Sequence, residues 1–307
     1  MRRIFEVGAA GVAEACGGQG NIYLFVAPDE SDRRLLLDEF KVDEHTLNSA
    51  LDPDELSRLE FEPDHAAMIL KRPKNLSMQG QLLFEVASTG VFLFKDKLAI
   101  VTAEEADLFD GSKQYGKCQS LPDVVLRVLN RTTGHFRGHL KVINLCAEDI
   151  EEKVAGALQN RYLLSLFTLE KSLVYYYSAI HSNGLLMEKL RSSSSRIGFS
   201  PEAMEFLDDI AVENEQCLKQ AEIYANILAS LMDARASIVS NNLNVIMKTL
   251  TLITIGIMVP TFVVSAFSMN VTLPWDLRTH PFAFYGILIL AGLSVLSVML
   301  LQRMKRW

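Results

Sequence analysis

The chain has 307 residues, is 49% hydrophobic and carries a formal net charge of −7. An acidic balance with no basic face excludes a nucleic-acid partner and points to an attraction for cations. The four cysteines, Cys16, Cys118, Cys146 and Cys217, form neither a CxxC pair nor a cluster at zinc-ligand spacing, which excludes a disulfide scaffold and fits a reduced compartment.

In chain order, Met1 to Glu6 holds two arginines but no apolar core of signal-peptide length, so the N-terminal part is expected to stay in the cytoplasm. Gly17, Gly18 and Gly20 lack the lysine of a phosphate loop and read as a turn. Apolar runs at 21–28 and 66–72, ended by proline or charge, predict central strands. Between them, Glu30 to Lys41 and Asp43 to Leu51 have helical spacing, and Asp52-Pro53-Asp54 marks a turn. Strands are expected at 82–88, 91–95 and 97–102, with turns at Gly90 and at Asp96-Lys97, and helices resume from Pro122. Residues 1–145 therefore read as one α/β domain with a mostly antiparallel sheet.

From Asp149 to Leu190, Val154, Leu158, Tyr162, Leu166, Leu169, Leu173, Tyr176 and Ile180 recur every three or four residues, which predicts one long amphipathic helix. The serines 192–195 and Gly198 break it, and Ser200-Pro201-Glu202 then supplies a cap, a first-turn proline and an acid. No proline follows until Pro260, so a second helix is expected to run from 201 into the first apolar segment, roughly 60 residues or about 90 Å. Residues 146–244 are thus a helix pair and stalk.

Two apolar segments close the chain, 245–269 and 282–301, each long enough for a bilayer core of about 30 Å. The loop 270–281 between them is too short for anything but a hairpin. Arg303, Lys305 and Arg306 beside Trp307 put the tail 302–307, and hence both termini, on the cytoplasmic side, with the loop outside.

Other motifs say less. His135 and His139 have metal-pair spacing on a helix, but Gly138 intervenes, no acid follows, and they read as a surface pair. No nucleophile–base arrangement is present, and no enzyme and no organic cofactor are expected. The acidic run Asp208, Asp209, Glu213, Glu215, Glu222 and Asp233 reads by itself as a solvated helix face.

The stretch from Leu231-Met232-Asp233 through Asn244-Val245-Ile246-Met247-Lys248-Thr249-Leu250-Thr251, then Pro260-Thr261 and Ser268-Met269-Asn270, resembles the CorA family of divalent-cation transporters in order and spacing. The α/β domain, helix pair, stalk, two spans and basic tail agree with it along the whole chain. The resemblance implies a homopentameric funnel in the lipid bilayer of a bacterial inner membrane. It further implies passive, gated movement of Mg²⁺, with Co²⁺ or Ni²⁺ sharing the route. Ser268, Met269 and Asn270 then form the selectivity filter, where an amide ring meets a still-hydrated ion. Asn244, Met247, Leu250 and Met258 line the pore and gate, and Asp209 holds a regulatory cytoplasmic metal whose partner residue is not placed.

Ser268 stands where the family has glycine, and Phe267 where tyrosine is usual. Serine adds a hydroxyl and removes backbone freedom. That departure keeps two alternatives open: a zinc transporter of the same superfamily, for which His280 in the loop is suited, and a non-conducting scaffold or sensor.

Overall fold

The computed structural model describes residues 1–8, 11–15, 20–74, 83–105, 108–109, 118–156, 160–269 and 282–304. Side-chain surroundings are described outside 152–163 and 301–304. Cys16 and Gly17–Gln19 lie outside the described residues. Contacts divide the chain into two compact units, Met1–Met232 and Asp233–Trp307.

The first unit is built on a seven-stranded sheet ordered β2-β1-β3-β7-β6-β5-β4. Its strands are β1 (Arg2–Gly8), β2 (Gly11–Glu14), β3 (Ile22–Val26), β4 (Arg58–Phe61), β5 (His65–Pro73), β6 (Val86–Phe94) and β7 (Leu98–Thr102). All pairs are antiparallel except β3 with β7, as expected for a mostly antiparallel sheet. The central strands β5, β6 and β7 are buried on both faces. Helices α1 (Glu30–Asp38) and α2 (Glu44–Leu51) cover one, packing Leu36, Leu47 and Ala50 against Phe25, Phe92 and Val101. Each is started by an aspartate whose carboxylate accepts from a first-turn amide, Asp29 from Asp32 and Asp43 from Thr46.

The other face is covered by α3 (Leu121–Gly156), α4 (Asn160–Ser192) and the first turns of α6 (Pro201–Phe267), where Val124, Val128, Leu186, Leu190 and Leu207 join Leu24, Met68 and Ile100 in one core. Farther along, α3, α4 and α6 make a second core of their own around Phe136, Leu169, Leu173, Tyr176, Ile180, Cys217 and Ala221. The one-turn helix α5 (Ser194–Ile197) lies between α4 and α6 and ends on Gly198 at φ +85°, a left-handed position suited to glycine. The Ser200 hydroxyl then accepts from the Ala203 amide at 3.1 Å and opens α6.

Four expectations are corrected. Gly90 is not a turn: β6 runs through it, pairing Gly90 with Ile69 on one side and Val101 on the other. A Cβ there would stand 2.6 Å from the Ala50 Cβ, so the glycine serves the close approach of α2 to the sheet. The helical stretch expected from 149 begins earlier: α3 starts at Leu121 and is described to Gly156, α4 is described over Asn160–Ser192, and 157–159 lie outside the described residues. The periodicity was still sound from Leu166 onward, since Leu166, Leu169, Leu173, Tyr176 and Ile180 are all buried. Residue 145 falls inside α3, and the helices share a core with the sheet, so the contact boundary comes after Met232 and not after 145. Last, β1, β2 and β4 are strands that the apolar-run criterion passes over.

The second unit contains the remainder of α6 and α7 (Ala283–Met304). Their most apolar windows have mean hydropathies of 2.1 and 2.3, and the residues in them are 0% and 6% buried. A core helix of a soluble protein would be covered. These are exposed over most of their surface, apart from one half-buried stripe on each, Leu252, Gly256, Val259 and Val263 on α6 and Ala283, Ile287, Ala291 and Ser294 on α7, and each is long enough to span a bilayer.

Candidate functional site

Residues 244–269 continue α6 as a helix whose side chains are exposed around most of the circumference, including Ile246, Met247, Ile253, Ile257, Met258 and Phe262. At about 100° per residue, Asn244, Met247, Leu250, Thr251, Thr254, Met258, Thr261, Ser265 and Ser268 all fall within roughly one third of a turn. The rest of this stretch is apolar apart from Lys248 and Thr249 near its beginning. The structure therefore places Asn244, Met247, Leu250 and Met258 on one face, as their spacing predicts, and adds a line of hydroxyls between them.

The hydroxyls bond back along the helix. Thr251 donates to the Met247 carbonyl at 2.8 Å, Thr254 to Leu250 at 2.9 Å, and Thr261 to Ile257 at 2.7 Å. Such bonds let a helix carry hydroxyls through an apolar medium without an unmet donor. Sequence reasoning missed Thr251, Thr254, Thr261 and Ser265, although their spacing of three, four and seven within an uncharged run was a readable signal.

Pro260 sits inside α6 and has no N–H to give, which leaves the Gly256 carbonyl without its usual partner. The helix ends at Phe267. The Ser268 amide is shared between the Val264 and Ser265 carbonyls, both at 3.1 Å, and its hydroxyl donates to Ser265 at 3.0 Å. Among described non-glycine residues only Ala27 and Lys41 have positive φ, so Ser268 occupies a backbone conformation open to any residue. Serine in place of glycine introduces no backbone strain here. Met269 is exposed. Asn270, the rest of the loop with His280, and Lys305-Arg306-Trp307 lie outside the described residues.

Asp209 is on α6 within the first unit, exposed and apart from the stripe. Of its acidic neighbours, Asp208 pairs with Arg191 at 3.2 Å, Glu213 with Arg137 at 3.4 Å and Glu215 with Lys219 at 3.7 Å. No group of three acidic, histidine or cysteine side chains poised for a metal occurs among the described residues. A metal at Asp209 would need ligands from elsewhere.

His139 is not the surface residue expected. It is buried, its Nδ1 shares a 2.6 Å hydrogen bond with the Tyr176 hydroxyl, and Phe84 and His135 pack on its ring. Burial, with the charge of His135, pushes its pKa down to about 4, so it is a neutral core residue.

Residues 18–305 match the model of the family described as CorA-like Mg²⁺ transporter protein. The cobalt/magnesium transport protein CorA of Methanocaldococcus jannaschii is 23% identical over 280 residues, covering 85% of this chain and 83% of that protein. The complete structure of the CorA magnesium transporter from the same organism superposes with a TM-score of 0.84 at 18% identity, over 99% of this chain and 97% of that one. The full-length CmaX protein superposes with a TM-score of 0.77 at 17% identity, over 100% and 98%.

Proposed function

The chain belongs to the CorA-like Mg²⁺ transporter family, and from that premise we propose that it carries Mg²⁺ passively through a gated pore in a homopentamer. Members of this family transport divalent cations and are not enzymes, and transport is the activity to be explained. Two helices from one chain cannot enclose water, so a path requires several copies around an axis. In this reading 245–269 and 282–301 span a bacterial inner membrane, with both termini cytoplasmic and 270–281 outside.

The observation that supports the reading is the stripe on α6. In a stretch that is otherwise apolar apart from Lys248 and Thr249, the amide of Asn244 and the hydroxyls of Thr251, Thr254, Thr261, Ser265 and Ser268 gather on one face. The threonine protons are met within the helix, but among the described residues the Asn244 amide has no such bond along its own helix to rely on and belongs on water or on a partner, so the face it heads turns to the axis. Asn270 with Ser268 and Met269 forms the outer filter, Asn244 the inner mouth, and Met247, Leu250 and Met258 a constriction that closes by dewetting. Asp209 supplies one carboxylate of a cytoplasmic Mg²⁺ site shared between neighbouring copies, which fits its exposure and the lack of a metal cluster around it among the described residues.

The test is ion flux into liposomes holding the purified oligomer, with Mg²⁺, Co²⁺ and Zn²⁺ compared. Mg²⁺ flux that falls at least about tenfold in Asn270→Ala is expected. Flux of Zn²⁺ alone would replace the ion, and intact oligomers without flux would overturn transport. Zn²⁺ is included because serine replaces glycine at 268 and His280 lies in the loop.

A further inference from the structure

Within the first unit α6 buries a seam made of Ala203, Leu207, Ile210, Asn214, Cys217, Ala221 and Leu228. Six of the seven are apolar. Asn214 is the exception, and it is 2% exposed. Its Nδ2 donates to the Ile180 carbonyl of α4 at 3.0 Å, while its Oδ1 is buried with no hydrogen-bond partner. Gly184, one turn along α4, makes room for it: a Cβ on Gly184 would stand 3.2 Å from the Asn214 Nδ2. Turning the amide over would set Oδ1 against the Ile180 oxygen, so the donor must face α4 and the acceptor must go unmet.

Stability does not account for this residue. A leucine at 214 would extend the apolar seam and leave no orphaned acceptor, so asparagine is a net cost to packing. What it supplies is position. An apolar seam with small residues at 217 and 221 admits more than one seating of α6 on α4, and only one puts an amide donor on the Ile180 carbonyl. A single asparagine in an apolar helix seam is the best-attested device for fixing register.

The helix it bonds to is itself pinned by the same side-chain chemistry. In β5, beside the point just before β4 begins, the Lys71 amide donates to the Asn183 Oδ1 at 2.9 Å and the Asn183 Nδ2 donates to the Lys71 carbonyl at 2.8 Å. Asn183 of α4 thus takes the place of a strand residue beside β5, and the Ser57 hydroxyl adds a bond to its Oδ1 at 2.7 Å. The sheet holds α4, and α4 holds α6.

We propose that Asn214 is the positioning residue that sets the register and rotation of α6 on α4. Because the same unbroken helix carries Asn244, Met247 and Met258, Asn214 selects one setting of the gate. This last step rests on the transport reading, whereas the register itself does not.

Cys217, one turn from Asn214 and 1% exposed, is a native reporter of the seam, and Cys118, 2% exposed in the sheet core, is its internal control. In full-length Asn214→Leu the melting temperature is expected to equal or exceed that of the parent, while maleimide labels Cys217 about tenfold faster relative to Cys118. In liposomes the variant's Mg²⁺ flux is expected to differ from the parent's by at least about twofold. Gly184→Ala, which keeps the asparagine but crowds its amide, is expected to move both readouts the same way. Parental labelling in both variants would overturn the register role. A fall in melting temperature with Cys118 and Cys217 labelled faster together would reduce Asn214 to an ordinary core residue. If the parent shows no flux, transport fails while the labelling arms still judge the register.

Discussion

Residues 201–232 and 245–267 belong to one helix, yet they handle polarity in opposite ways. In the first stretch the apolar side chains are gathered into a buried seam, charges face outward, and the one seam asparagine bonds to a neighbouring helix. In the second most apolar side chains are exposed, and the hydroxyls are the residues gathered into a line. Water is the solvent that explains the first arrangement, and the proposed reading explains the second by hydrocarbon on one side with water on the other. The contrast shows that amphipathicity reverses its meaning when the solvent does.

Charge placement breaks this comparison most sharply. Arginine at Ile253, on the apolar side, is expected to cost about 2.5–3.5 kcal/mol of insertion free energy and to remove the protein from the membrane fraction. Arginine at Thr254, one residue on, is expected to leave insertion intact and block ion flux. Equal membrane yields and equal fluxes for the two would erase the distinction between the faces.

A smaller effect sharpens the aqueous half. His139 has a folded-state pKa of about 4 against 6.5 when unfolded, because burial and His135 disfavour its charged form. Its stabilising contribution is therefore complete above pH 6.5 and lost as pH falls toward 4, by on the order of 3 kcal/mol. Chemical denaturation of the full-length protein at stepped pH should show that loss, and His139→Phe should flatten it.

The smallest is steric. In Gly90→Ala the new methyl would meet Ala50 at 2.6 Å, and α2 must lift from the sheet at a cost of about 2 kcal/mol, read as a lower denaturant midpoint. A turn at Gly90 would have tolerated alanine far better.

How much of this was legible in the sequence depended on whether a signal was local. Ser200-Pro201, the absence of proline to 260, and two long apolar runs announce α6 and the spans without reference to anything else. The exposed sides of β1 and β4 carry Arg2, Glu6, Arg58 and Glu60, and a strand that is half wet lacks the apolar run used to find it. The stripe on α6 was half read: Asn244, Met247, Leu250 and Met258 came from a resemblance, and the threonines between them from the coordinates. Gly90, Asn183 and Asn214 were beyond reach, because the sequence gives no hint of Ala50, Lys71 or Ile180 as their partners.

The threonine bonds within α6 carry one more consequence. Each O–H of Thr251, Thr254 and Thr261 is already committed to a carbonyl of its own helix, so the oxygen's lone pairs are what remains for anything beside it. A line of such oxygens receives hydrogens and gives none. Water around a cation points its hydrogens outward, and water around an anion points its oxygens outward. The stripe therefore fits the first kind of shell and repels the second, and a stretch without a single carboxylate, 244–267, can sort ions by sign.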